Sequence, residues 1–102
     1  MKSIPDTTNI AGSTSILVNG GIVKQLAVLN ESRRSILLTN KGVSYPVYLG
    51  ISSNTTSGSS GANFTYISTG DIMRLGDYSG PLYGIHAGAS GTYEQIGVLD
   101  IG

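Results

Sequence analysis

A chain of 102 residues is one domain by size, and it must draw most of its stability from a single apolar core. Six basic and six acidic residues cancel, and charged residues make up only 12% of the chain, which excludes the basic stripe of a nucleic-acid binder. With no Cys there is no disulfide and no thiolate metal site, and no run of residues approaches the roughly 18 apolar positions of a membrane span.

The stretch Met1-Lys2-Ser3-Ile4-Pro5-Asp6 lacks the apolar core of a signal peptide, so the chain is expected to stay soluble in the cytoplasm where it is made. Residues 1–14 are rich in Thr, Asn and Ser and read as an extended N-terminal arm, leaving residues 15–102 as the folded domain. A short strand is expected over Ser15–Val18, closed by Asn19-Gly20-Gly21, whose residues supply the positive φ values of a tight hairpin turn. Ile22–Leu29 is apolar in both alternation phases. Periodicity alone does not separate a two-sided strand from a short helix there, but β-branched residues and the flanking glycines favour a long strand. Asn30 to Arg34 turns the chain, Ser35–Asn40 forms the next strand, and Pro46 leads into Val47–Ile51.

From Ser52 to Gly61 the residues are nearly all Ser, Thr, Gly and Asn, which predicts a mobile surface loop. Phe64–Ser68 and Ile72–Leu75 resemble two strands about the turn Thr69-Gly70-Asp71, and Leu82–Ala87 and Tyr93–Ile101 are the last two. No helical pattern intervenes and no tandem repeat is evident. The fold class is all-β: an antiparallel β-sandwich or jelly roll of about eight short strands.

Catalytic equipment is sparse. His86, the one histidine, lacks the partners that a zinc site needs and reads as a surface group that titrates with pH. No Gly-x-Ser-x-Gly elbow, phosphate loop or paired-carboxylate signature is present. No catalytic, cofactor-binding or metal-binding residue is therefore assigned. Arg33-Arg34 reads first as a solvated turn between strands. Six tyrosines stand against one Phe and no Trp. Tyr48, Tyr66 and Tyr83 fit half-buried sheet positions, while Tyr78, before Gly80-Pro81, is the best candidate for an exposed contact.

Three segments carry a family likeness: Arg34-Ser35-Ile36-Leu37-Leu38-Thr39-Asn40, then Pro46-Val47-Tyr48-Leu49-Gly50, then Tyr78-Ser79-Gly80-Pro81-Leu82-Tyr83-Gly84-Ile85. Together with the closing apolar strand they resemble small virion proteins of tailed phages, among them head decoration (cement) and head-fibre proteins, over roughly residues 33–101. The resemblance implies a jelly roll or related sandwich, often trimeric, that adds to a capsid lattice and reinforces it. The expected partners are the major capsid protein and further copies of the chain, a trimer being favoured, with no nucleic acid and no membrane. The expected location is the capsid surface. Expected contact residues are Ile4, Pro5 and Ile10 on the arm, with Tyr78, Arg33 and Arg34. Two alternatives stand beside this: another virion position such as head fibre, tail or baseplate, and a carbohydrate-binding module using Tyr78 and the Gly/Ser loops.

Overall fold

The computed structural model describes residues 10–58 and 62–101, which form eight strands and no helix. In chain order these are β1 (Ile10–Asn19), β2 (Lys24–Ala27), β3 (Ser35–Asn40), β4 (Val47–Gly50), β5 (Thr65–Ile67), β6 (Ile72–Gly76), β7 (Leu82–Ile85) and β8 (Tyr93–Ile101). β1 pairs with β8, β2 with β7, β3 with β6 and β4 with β5, all antiparallel. The chain is thus one long two-stranded ribbon whose closed end is the loop between β4 and β5. Wrapping the ribbon puts successive pairs on opposite layers, and docking β3 on β8 and β4 on β7 completes the sheets β1-β8-β3-β6 and β2-β7-β4-β5. That is the strand order of a jelly roll, and the all-β antiparallel sandwich expected from the sequence is what the chain forms.

Period-two alternation builds the core. Ile36, Leu38 and Asn40 of β3 face inward with Ile96 and Val98 of β8 and Val18 of β1, while Leu37 between the first two is only half-buried. The other sheet contributes Leu26, Val47, Leu49, Ile67 and Leu82. Fully burying an aliphatic side chain of this kind contributes about 1.5–3 kcal/mol, so the ten or so inner positions outweigh the polar chemistry that surrounds them.

Strand boundaries agree with expectation for β3, β4, β6 and β8 to within a residue or so, and differ at the N-terminal end. β1 begins at Ile10 and not at Ser15, because the Ser, Thr and Gly residues assigned to the arm pair with the long β8 through main-chain bonds. The rest of the arm, including Ile4 and Pro5, lies outside the described residues. β2 is only Lys24–Ala27: its register breaks between Gln25 and Ala27, and Val28 and Leu29 are exposed.

The larger correction concerns turns. Asn19-Gly20-Gly21 does not close a hairpin but carries the chain from one sheet to the other. Gly20 N–H donates to Thr92 O, Gly21 N–H to His86 O and Ile22 N–H to Asn19 O, and only Gly21 takes the left-handed φ, at 73°. Thr69-Gly70-Asp71 and the 88–91 loop cross between layers in the same way. β4–β5 is the one pair of consecutive strands that are sheet neighbours. Their loop, expected to be a mobile surface loop that buries no apolar area, tucks the polar Thr55 over Gly50, with Thr55 Oγ1 donating to Ser52 O at 2.6 Å and Thr56 N–H to Ala62 O at 3.1 Å.

Candidate interaction surfaces

The buried polar side chains come first, since a chemical site would be built from them. Arg33 is 4% exposed. Its Nε donates to Asp100 Oδ1 at 2.9 Å, one terminal nitrogen to Gly80 O at 2.8 Å and the other to Val28 O at 2.7 Å. Asn40 Nδ2 donates to the carbonyls of Ile67 and Tyr45, and its Oδ1 accepts from Gly42 N–H. Glu94 Oε1, from β8, accepts from the N–H groups of Val43 and Ser44 in the same loop. His86 is fully enclosed. Its Nε2 lies 2.9 Å from the carbonyls of both Val18 and Thr92, while Gly88 N–H donates to Nδ1 at 3.1 Å. Nε2 therefore carries the proton, since two acceptors face it and a donor faces Nδ1.

Every one of these groups is spent within the chain, on its own loops and strand ends. No buried side-chain nitrogen or oxygen among the described residues lacks a partner, and no three His, Asp or Glu there are grouped as metal ligands would be. A buried polar group without a partner costs about 1–3 kcal/mol, which is why these long polar side chains are taken inside only where loop carbonyls and amides meet them.

The expected site residues are placed as follows. Ile10 is the first residue of β1, opposite Ile101. Arg34 is exposed at the entry to β3, whereas Arg33 beside it is buried, so the reading of the pair as a solvated turn holds for one of them only. Tyr78 is not the exposed contact expected: its ring packs half-buried against the core and its hydroxyl donates to Pro81 O. His86 is likewise no surface group; it alternates with Tyr83 and Ile85 as expected, but its side of β7 is the inner one, where it stacks on Tyr45 with ring centroids 5.2 Å apart.

What the molecule offers outward is contact surface. On the outer face of β2-β7-β4-β5, Tyr66 and Tyr48 stand side by side next to Ile85, which is itself buried, and Gly50, Tyr83 and Gln25 form the next row. Neither row carries a charge. The Tyr48 and Tyr66 rings are 5.6 Å apart and tilted by 45°, and Tyr66 is 56% exposed. This pairing was partly legible, since Val47-Tyr48-Leu49 and Thr65-Tyr66-Ile67 each set one Tyr between two residues of opposite phase. At one end of the sandwich Ile51, Phe64, Leu75 and Tyr78 line a cleft of about 460 Å³. Between the layers, on the side where β1 and β2 are the outermost strands, Ile16, Leu26, Ala27 and Val98 line another of about 410 Å³. Set against known proteins, the chain matches no family model, no curated protein and no solved structure.

Proposed function

We propose that this chain is a non-enzymatic structural protein of a phage particle, a decoration protein that binds the assembled head and holds coat subunits together. The observation that carries the reading is the division of labour in the fold. Among the described residues every buried polar side chain has its partner within the chain, and the two central rows on the outer face of β2-β7-β4-β5 are uncharged and suited to packing on another protein. The resemblance of residues 33–101 to small virion proteins supplies the partner, the major capsid protein. Binding of several copies over a lattice junction multiplies weak contacts through effective concentration. Purified protein added to heads that lack it is expected to co-sediment at a fixed ratio to the coat subunit and to raise the temperature at which the heads open. Heads that bind none of it would overturn the reading, and gold label found on tails or fibres would move the protein to another virion position.

A second reading is favoured by the tyrosine face. Tyr48, Tyr66 and Tyr83 offer aromatic surface with polar tips on a rigid sheet, which suits stacking against a neutral sugar and supports a carbohydrate-binding reading that uses this face. A glycan array separates the two: binding lost in Tyr66→Ala and retained in Tyr78→Phe supports a lectin-like role, and a blank array removes it.

A further inference from the structure

We propose that the free edge of β1 is a strand-pairing site for a second copy of this chain, docked antiparallel about a two-fold axis. The four strands that end the two sheets are β1, β6, β2 and β5. Open edges invite pairing with other chains, and proteins blunt them by shortness, charge or bulges. β5 has three residues. β2 has four, carries Lys24 and is interrupted in register. β6 has five and carries Arg74 at its middle. β1 has ten, Ile10 to Asn19, and contains no charged residue and no Pro; its one irregularity sits at the start, between Ile10 and Gly12.

The main-chain groups that would pair can be identified. Gly20 N–H donates to Thr92 O in continuation of the Asn19–Tyr93 register, so the even residues of β1 point their amides and carbonyls at β8. On the far side of β8, Lys41 N–H reaches Gln95 O, which gives the odd residues of β8 to β3 and agrees with that phase. Ser13, Ser15 and Leu17 therefore direct their main-chain groups outward, and β1 has no strand beyond it among the described residues.

The occupant follows from length and charge. A ten-residue edge is matched by another ten-residue edge, and the two-fold that sets Ser15 opposite Ser15 of the second copy overlaps nearly the whole of both strands. No like charges meet there, whereas the same operation on β6 would oppose two Arg74 side chains, and β2 offers only four residues in a broken register. In this register Thr14 stands across from Ile16 of the second copy. Both residues line the mouth of the 410 Å³ inter-sheet cleft, so two open clefts become one covered apolar layer. A two-fold pairing closes at two copies, in place of the trimer that the family resemblance implies, and it does not depend on the virion reading.

Light scattering coupled to size exclusion tests this, with twice the 10.5 kDa chain mass expected for the wild type. Ser15→Pro removes an outward amide that β8 does not use, as edge strands tolerate, and is expected to give a folded species of single-chain mass. A wild type that is monomeric or trimeric, or a dimer that survives Ser15→Pro, overturns the proposal. If Ser15→Pro does not fold, Ser15→Lys and Ser15→Glu decide. Each alone sets like charges opposite one another and is expected to weaken the dimer by about fivefold, and an equimolar mixture is expected to form the mixed dimer preferentially. Absence of that preference overturns the proposal.

Discussion

Arg33 and Asp100 form an ion pair of 2.9 Å in which the arginine side chain is fully enclosed and the aspartate 21% exposed. The guanidinium also reaches Val28 O before β3 and Gly80 O before β7, so one side chain ties two loops to β8. Breaking a buried pair by deleting one partner costs about 3–5 kcal/mol. Arg33→Ala is expected to lose stability of that order in urea unfolding. Arg33→Lys is expected to recover only part of it, because a point charge cannot serve three acceptors spread around a planar fork. A change below about 1 kcal/mol in Arg33→Ala, the range of exposed pairs, would show that the side chain is solvated.

Glu94 and Gly42 form a second clamp. A Cβ on Gly42 would fall 1.7 Å from Glu94 Oε1, the atom that holds the Val43 and Ser44 amides. Gly42→Ala is expected to cost about 1–3 kcal/mol by overpacking. Glu94→Ala strands two amides in the same loop, so the two losses should be non-additive in a double-mutant cycle.

His86 joins β7 to the ends of β1 and β8 and stacks on Tyr45. Nitrogen-15 spectra are expected to show the proton on Nε2. His86→Phe keeps the stacking area but leaves the Gly88 amide without its acceptor and the imidazole's two carbonyl contacts unmade, and is expected to lower stability by about 1–3 kcal/mol. An Nδ1–H tautomer would contradict the placement of the Gly88 amide.

Gly20 and Gly21, neighbours in one turn, are required for different reasons. A Cβ on Gly20 would lie 2.2 Å from the Ala89 carbonyl oxygen, a backbone atom that cannot move aside, whereas Gly21 faces open space at φ 73°. Gly21→Ala is expected to cost about 1–2 kcal/mol, the left-handed penalty alone. Gly20→Ala should cost clearly more and displace the 88–91 loop. Thermal melts of the two variants check the order.

These residues also show what could be read from the chain. Ile36 and Leu38 in β3 and Ile96 and Val98 in β8 announce their strands by alternation, which is local and survives tertiary context. The turns were legible as turns but not as connections. Glycine at Gly21, Gly70 or Gly91 permits a positive φ whether the next strand pairs with the last or crosses to the other layer. That choice depends on pairings such as β1 with β8 that lie almost the whole chain apart. His86 and Arg33 failed for a related reason: alternation assigns phase but not side, and the loop carbonyls that let them be buried are distant in sequence.

The position of β8 between β1 and β3 has a further consequence, for synthesis. It is the last of the eight strands to leave the ribosome, yet it is an interior strand, with a partner on each side. Until it emerges, β1 has no mate and β3 only β6, so one layer stays unfinished while all four strands of the other, β2-β7-β4-β5, are already available. The β1-β8-β3-β6 sheet therefore closes only once β8 is out, and a chain cut short before Tyr93 leaves the inner faces of β1 and β3 without the strand that joins them.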